Sequence, residues 1–180
     1  MSVSQEIRIR DAEDFEQEAI AHVMIEAYQQ YAHDLPQPRW EEYRDSIRKS
    51  VYGHAPYARI VAEIDGEIIG SVQMFLSSEA AYGKPELGIH SPIIRLLAVS
   101  PSFRGRGIAT LLIQEAARRS VLLGYSTLHL HTSDMMASAV HLYERLGFER
   151  AYDADTRNGD TLVKSYWIDL SKAALLERVV

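Results

Sequence analysis

The chain has 180 residues, of which 47% are hydrophobic and 24% are charged, a balance typical of a folded domain rather than a disordered segment. The 25 acidic residues outnumber the 19 Lys and Arg residues, so the net charge of −6 gives the chain no general attraction for nucleic acid or an anionic membrane. Because cysteine is absent, disulfides, thiolate metal sites and a cysteine nucleophile are excluded.

The length predicts one domain over residues 1–180. The first ten residues lack the apolar core of a signal peptide, and no apolar run approaches the ~20 residues needed to span a bilayer. We therefore expect a cytoplasmic protein that binds no membrane, no nucleic acid and no metal.

The first half of the chain is rich in hairpin signals. Charged residues alternate with Ile7 and Ile9, which predicts a short strand, and Asp65-Gly66 is a strong tight-turn signal. In chain order we predict a strand around residues 7–9, a helix over 14–31, a break at Pro36 and Pro38, a helix over 40–51, hairpin strands over 59–64 and 67–76, and a loop over 77–91.

The second half alternates strands with helices. Residues 92–99 form an apolar run interrupted only by Arg95, which is typical of a strand buried on both faces of a sheet. The elements that follow are a helix over 107–123, a strand over 127–132, a helix over 135–146 that ends at Gly147, and strands over 148–153 and 162–170. This order predicts an α/β fold in which about four helices flank a mixed sheet of about seven strands.

The segment over residues 99–109 joins the buried strand to the next helix through two glycines. Gly105 and Gly107 let the backbone turn tightly and approach a ligand closely. The first amides of a helix have no partner within it, and the helix dipole adds positive charge there. Arg104 and Arg106 add full positive charge, so the segment favours binding of a pyrophosphate.

Three other interpretations of this segment compete with pyrophosphate binding, and the two that involve nucleotides match the residues poorly. A glycine turn can simply connect a strand to a helix. A Walker loop requires Gly-Lys followed by Ser or Thr, which is absent. A dinucleotide fingerprint requires Gly or Ala where Thr110 stands and an acidic residue at the end of the next strand, which instead ends in His131 and Thr132.

Arg104-Gly-Arg-Gly-Ile-Ala109 resembles the Arg/Gln-x-x-Gly-x-Gly/Ala motif of the GNAT superfamily of acyl-CoA-dependent N-acyltransferases. It follows Leu96-Leu97-Ala98-Val99 and Pro101, as the cofactor strand and turn of that family do. About thirty residues downstream, the segment over residues 139–148 is similar to the family signature Ala-x-x-Leu-Tyr-x-x-x-Gly-Phe. The two motifs in this order make the resemblance detailed from residue 92 to residue 148.

The resemblance implies transfer of an acetyl group from acetyl-CoA to a primary amine of a small molecule or a peptide. It implies two neighbouring parallel strands that splay apart, with main-chain groups of Leu97 and Val99 holding the pantetheine arm as a further strand would. The residues it assigns to acetyl-CoA are Leu97, Ala98, Val99, Arg104, Gly105, Arg106, Gly107, Ile108, Ala109 and Thr110.

The chemistry needs a donor for the carbonyl oxygen and an acid for the departing thiolate. The Leu97 amide is the candidate oxyanion donor. Tyr143, in the second motif, is the candidate acid, because a phenol with a reference pKa of about 10 is protonated at neutral pH. The alternative interpretation is that Tyr143 is a core residue of an amphipathic helix.

Two departures from the family pattern affect these assignments. Met136 stands where many members have Asn, and Ile93 stands where many have a glutamate near the start of the cofactor strand. The general base is therefore unassigned. Its candidates are ordered water and the side chains of His131, His129, His90, Asp134 and Glu79.

The resemblance places the acceptor against the first two helices and the last hairpin. The candidate acceptor contacts are Tyr31, His33, Asp34, Trp40, Asp153, Asp155 and Asp160, with the loop over 77–91 as a further wall. The final strand near residues 166–170 could pair across a homodimer. The alternative function is a non-catalytic acyl-CoA-binding sensor, which would keep the glycine turn but would not need Tyr143.

Overall fold

The computed structural model describes residues 5–53, 56–132, 137–158, 161–172 and 174–177. The chain divides into two compact units that alternate along the sequence. The first comprises Met1–Gln73 and Leu96–Ile113, and the second comprises Met74–Arg95 and Gln114–Val180. The expectation of one domain stays a prediction.

In chain order, the described helices and strands are β1 (Arg8–Asp11), α1 (Gln17–Tyr28), α2 (Gln37–Tyr52), β2 (Ala58–Ile64), β3 (Glu67–Phe75), α3 (Ser78–Tyr82), β4 (Ile93–Val99), α4 (Ile108–Leu122), β5 (Thr127–Thr132), α5 (Ala137–Arg145), β6 (Glu149–Arg150), β7 (Thr156–Asn158), β8 (Thr161–Asp169) and α6 (Ala174–Glu177). Three of them, β3, β4 and α4, contribute residues to both units. None of these helices has the length and apolar character needed to cross a bilayer.

In the first unit the strand order is β1, β2, β3 and β4. Strands β1 and β2 are antiparallel, with Arg8 opposite Glu63. The turn between β2 and β3 has left-handed backbone angles at Asp65 (φ 50°) and Gly66 (φ 83°), as the tightest hairpin turns require. The hairpin predicted from Asp-Gly is confirmed.

In the second unit the order is β4, β5, β8 and β6, and β7 also pairs with β8. Strands β4 and β5 are parallel, with Ile93 opposite His129, whereas β5 and β8 are antiparallel, with His129 opposite Trp167. Along β5, buried Leu128 and Leu130 alternate with half-buried histidines. Parallel and antiparallel neighbours together confirm the predicted mixed α/β fold.

The second helix begins earlier than its sequence pattern predicts. We expected a break at Pro36 and Pro38, but α2 starts at Gln37 and carries Pro38 in its first turn. Proline is tolerated there because a first-turn amide has no acceptor within the helix. The prediction was therefore wrong for Pro38, while Pro36 does precede the helix.

The segment predicted as a loop over 77–91 contains regular structure. Helix α3 begins after Ser77, whose Oγ accepts a hydrogen bond from the Ala80 amide at 3.1 Å, and ends at left-handed Gly83 (φ 66°). A single 3-10 turn follows at Pro85–Leu87. A serine cap and a glycine stop thus define a helix of only five residues, too short to show a helical repeat in the sequence.

The end of the chain differs from prediction in one strand. Residues 148–153 do not form one strand, because β6 covers only Glu149–Arg150 and a 3-10 turn follows at Tyr152–Ala154. Helix α5 ends before left-handed Gly147 (φ 101°), as predicted. The predicted beginning of that helix, at residue 135, lies outside the described residues.

Helix α4 begins unusually close to β3, at Gly70. A Cβ placed on Gly70 would lie 3.1 Å from Ile108 Cγ2, 3.2 Å from the Ala98 carbonyl oxygen and 3.3 Å from Leu112 Cδ1. Ile108 and Leu112 are both buried. The missing side chain of Gly70 therefore gives the first two turns of α4 their place against the sheet.

We expect Gly70→Ala to lower the free energy of unfolding by about 1–3 kcal/mol, the usual cost of overpacking a core. Urea denaturation measures the change. Gly53→Ala is the matched control, since a Cβ there would lie at 3.4 Å from the Lys49 carbonyl oxygen, an ordinary contact. Equal unfolding midpoints for the two variants would contradict this account of Gly70.

Candidate active site

The turn between β4 and α4 forms in the way the glycines predict. After Val99, a 3-10 turn at Pro101–Phe103 leads to two left-handed residues, Gly105 (φ 79°) and Gly107 (φ 76°). The Leu111 amide donates to the Gly107 carbonyl at 3.1 Å, as the first turn of α4 closes. The amides that precede Leu111 in the helix have no acceptor within it, by helix geometry.

The space beside this turn is open. A Cβ placed on Gly105 or Gly107 would meet no described atom within 4 Å, and both residues are exposed. Glycine is therefore present for its backbone angles and for access to the main chain, not for tight internal packing. Amide donors, the positive end of the α4 dipole and an open approach together fit a diphosphate.

The two arginines of the turn make different contacts, and Arg104 joins the turn to α1. Arg104 donates to the Gln30 side-chain oxygen at 2.7 Å and to the Ala27 carbonyl at 3.1 Å, so it binds the end of α1. Arg106 lies over the Phe103 ring, 5.0 Å from its centroid. Within the described part of the chain neither guanidinium pairs with a carboxylate, so positive charge stays beside the turn.

Strand β4 carries a distortion next to the predicted oxyanion donor. Leu96 has a left-handed backbone angle (φ 55°), which is rare for leucine and interrupts an otherwise extended strand. The carbonyl oxygen of the next residue, Leu97, accepts a hydrogen bond of 2.6 Å from the Tyr28 hydroxyl. Ala98 is buried, and Leu97 and Val99 are half-buried. The sequence did not predict the hydrogen bond between Tyr28 and Leu97.

Four aromatic rings cluster near the end of α1 and the start of α2. The Tyr28 centroid lies 6.1 Å from those of Tyr31 and Tyr43, and Trp40 lies 6.2 Å from Tyr43. Tyr28 is buried and the other three are half-buried. The structure thus brings together the predicted Tyr31 and Trp40 and adds Tyr43, which is three residues after Trp40 on the same helix face.

Tyr143 lies in the second unit, on α5, and is buried. Its ring packs edge-on against Phe148, with centroids 6.0 Å apart. The left-handed Gly147 turns the chain back, and the Phe148 amide donates to the Tyr143 carbonyl at 3.0 Å. The spacing of the second motif therefore has a local cause, since Gly147 lets Phe148 cover Tyr143.

His131 is a candidate base whose two ring nitrogens are both engaged. Nε2 lies 3.2 Å from the Ala154 carbonyl, which can only accept, so Nε2 carries the proton. Nδ1 therefore accepts from the Tyr82 hydroxyl at 2.9 Å. Burial lowers the pKa of His131 to about 4. A neutral imidazole with no free nitrogen is poorly suited to take a proton from a substrate.

His129 is in a different position on the same strand face. Its Nδ1 lies 3.2 Å from the Ser91 hydroxyl, burial lowers its pKa, and Asp153 acts in the opposite direction. It helps to line a pocket of about 490 Å³, whose described walls are His129, Arg150, Ala151, Tyr152, Asp153 and Trp167. Two other candidate bases, His90 and Glu79, are exposed, and Asp134 lies outside the described residues.

Four aspartates are predicted acceptor contacts, and the first of them, Asp34, is exposed. Asp155 accepts from the Arg150 guanidinium and from the Ser165 amide, the latter at 2.7 Å, so its carboxylate holds the fold. Asp153 lines the pocket beside His129. Asp160 lies outside the described residues. Asp153 thus lies beside a space where a ligand could bind.

Comparisons with known proteins give consistent results. A family model described as the acetyltransferase (GNAT) family matches residues 17–148. The acetyltransferase ECA0875 of Pectobacterium atrosepticum is 31% identical over 144 residues, covering 80% of this chain and 87% of that protein.

Solved structures show the same fold at lower identity. The PaiA N-acetyltransferase of Thermoplasma acidophilum, crystallised with coenzyme A, has a TM-score of 0.66 at 16% identity and covers 89% of this chain and 98% of its own. The apo form of YjaB from Escherichia coli, solved in solution, has a TM-score of 0.66 at 17% identity and covers 90% and 97%.

We expect the ring resonances of His131 to titrate with a midpoint of about 4, far below the ordinary 6.5. The unfolded chain takes up this proton near pH 6.5, so His131 makes folding less favourable as the pH falls from about 6.5 to about 4. NMR titration measures the midpoint, and His131→Gln assigns the signal. A midpoint near 6.5 would contradict a neutral imidazole whose two nitrogens are both hydrogen-bonded within the fold.

Proposed function

Since the chain belongs to the GNAT acetyltransferase family and is an acetyltransferase, we propose that it transfers an acetyl group from acetyl-CoA to a primary amine of a small molecule or a peptide. The observation that carries the proposal is the turn before α4, where Gly105 and Gly107 are both left-handed and the space beside them is open. A sensor without catalysis is not favoured, because the family is one of acetyltransferases.

The first unit supplies the groups that would bind acetyl-CoA. The amides over residues 104–110 would hold the diphosphate, with the charges of Arg104 and Arg106 beside them. Main-chain groups of Leu97, Ala98 and Val99, on the last part of β4, would hold the pantetheine arm as an added strand. Acetyl-CoA bound there supplies a reactive thioester carbonyl.

Two residues have proposed roles in the transfer itself. The Leu97 amide donates a hydrogen bond to the carbonyl oxygen as negative charge develops on it. The Tyr143 hydroxyl holds a proton for the departing thiolate, and burial against Phe148 keeps its ring in one position. We assign no general base, and His131 is the weakest of the histidine candidates on β5, because both of its nitrogens are engaged.

Each unit contains groups that are proposed candidates for contact with the acceptor. The rings of Tyr31, Trp40 and Tyr43 offer faces that attract an ammonium group through their quadrupoles. Asp153 offers a carboxylate in a pocket whose walls include Trp167. An acidic chain with such surfaces favours cationic amines over anionic acceptors.

The test is a thiol-release assay with acetyl-CoA and a panel of polyamines, aminoglycosides, amino acids and peptides. Because the chain has no cysteine, every thiol detected comes from coenzyme A. We expect amine-dependent release and a product that gains one acetyl group by mass. Binding of acetyl-CoA without release for any amine in the panel would overturn the proposal in favour of the sensor.

Gly107→Ala is expected to weaken coenzyme A binding by about tenfold or more, the equivalent of one lost hydrogen bond to a charged group. Its Cβ would project into the open space beside the turn. Isothermal calorimetry measures the affinity. Gly124→Ala is the control, because Gly124 follows the other end of α4 with a similarly left-handed angle (φ 92°) and open surroundings. An equal loss of affinity in both variants would refute the role of the turn.

Tyr143→Phe is expected to lower kcat by roughly 10²–10⁴-fold, the usual range for loss of a general acid. The ring that packs on Phe148 is retained, so coenzyme A affinity should change little. Steady-state kinetics measure the effect, with exposed Tyr57→Phe as the control. Unchanged turnover would remove the acid role from Tyr143.

A further inference from the structure

The hydroxyl of Tyr28 reaches the strand that carries the proposed oxyanion donor. Tyr28 is the last residue of α1, its side chain is buried, and its hydroxyl donates to the Leu97 carbonyl at 2.6 Å. The contact joins residues 69 positions apart in the chain. A buried tyrosine hydroxyl needs a polar partner, but this partner is a main-chain group of β4 beside a distortion.

That distortion has an energetic cost. A left-handed backbone angle is unfavourable for a non-glycine residue, and Leu96 adopts one (φ 55°) immediately before Leu97. Such a conformation persists only where its surroundings hold it. The Tyr28 hydroxyl supplies a directional bond to the first residue after the distortion.

The direction of this bond matters for the amide of the same residue. In an extended strand, the N–H and C=O groups of one residue point to the same side. The Tyr28 hydroxyl therefore lies on the side of β4 to which the Leu97 amide points. The hydrogen bond fixes the direction of the Leu97 carbonyl and so restricts rotation about the backbone bonds of Leu97. This restriction limits the directions in which the Leu97 amide can point.

Tyr28 is itself held from two directions. Its ring lies between Tyr31 and Tyr43, each with a centroid 6.1 Å away. The turn of α1 that carries it is tied to the glycine turn, because Arg104 donates to the Ala27 carbonyl and to Gln30. One helix end thus contacts both the phosphate-binding turn and the acyl-binding strand.

We propose that Tyr28 is a positioning residue whose hydroxyl holds Leu97 so that the Leu97 amide is aligned with the thioester oxygen. The inference rests on the proposed acetyl transfer and assigns a cause to the geometry of its oxyanion donor. A donor aligned in advance acts mainly as charge develops on the oxygen, so its loss affects kcat more than binding.

Tyr28→Phe keeps the ring and removes the hydroxyl. We expect kcat to fall about tenfold or more while the KM for acetyl-CoA stays within about twofold, since the alignment is needed in the transition state rather than for binding. Tyr52→Phe is the matched control, because the Tyr52 hydroxyl also leaves its helix, to reach Glu18 at 2.7 Å, but does not contact β4. A fall in both variants, or a rise in KM without a fall in kcat, would overturn the inference.

A second measurement needs no acceptor and separates this inference from the proposed function. Infrared spectra of bound acetyl-CoA, labelled with ¹³C at the acetyl carbonyl, report the hydrogen bond to that oxygen. We expect a downshift of the carbonyl stretch in the wild type that is reduced in Tyr28→Phe and retained in Tyr52→Phe. Equal downshifts in all three proteins would overturn the role of Tyr28. The expected downshift in the wild type, found together with no acetyl transfer to any amine, would overturn only the proposed function.

Discussion

The close approach of α4 to β3 at Gly70 is the constraint on which the rest of the first unit depends. Ile108, the first residue of α4, lies where a side chain on Gly70 would otherwise stand. The start of the helix is therefore set by core packing rather than by the exposed turn before it. With the start of α4 held by packing on β3, Gly105 and Gly107 can remain exposed and left-handed.

The end of α1 extends this constraint to β4. Three side-chain contacts converge on its last turns. Arg104 reaches the Ala27 carbonyl, the Ser100 hydroxyl donates to Glu26 at 3.0 Å, and Tyr28 donates to Leu97. Each bond joins α1 to a different point on β4 or on the turn that follows it. A ligand that contacts this stretch meets groups whose relative positions are already determined, which reduces the ordering that binding requires.

Local patterns in the sequence predicted most of the fold, because their causes are local. Asp65-Gly66 predicts its hairpin through backbone angles, and Gly147 predicts the end of α5 in the same way. Short elements escaped prediction for the converse reason. Helix α3 has too few residues to show a period, and the proline inside α2 reads as a break although the first turn tolerates it.

The features of the candidate site that could be predicted are likewise those with local causes in the sequence. The glycine turn and the Tyr143 motif are each a continuous segment, so each could be found in the sequence. The bond from Tyr28 to Leu97 and the bond from Tyr82 to His131 instead join residues that are distant in the chain. No spacing rule reports such pairs. The structure was needed to show that Tyr28, which lies within the predicted first helix, contacts β4 at the residue whose amide is the candidate oxyanion donor.

The two histidines of β5 show that knowing which strand face a residue occupies does not reveal its role. Period-two alternation places His129 and His131 on one side of the strand, but it does not predict which groups either side chain contacts. His131 bridges the Tyr82 hydroxyl and the Ala154 carbonyl, and so links α3 to the turn after β6. Lys84 adds a bond of 2.8 Å to the Thr156 hydroxyl from the segment after α3. These bonds tie the segment that begins at α3 to the later strands and turns of the second unit, and they account for a half-buried, neutral histidine without giving it a part in proton transfer.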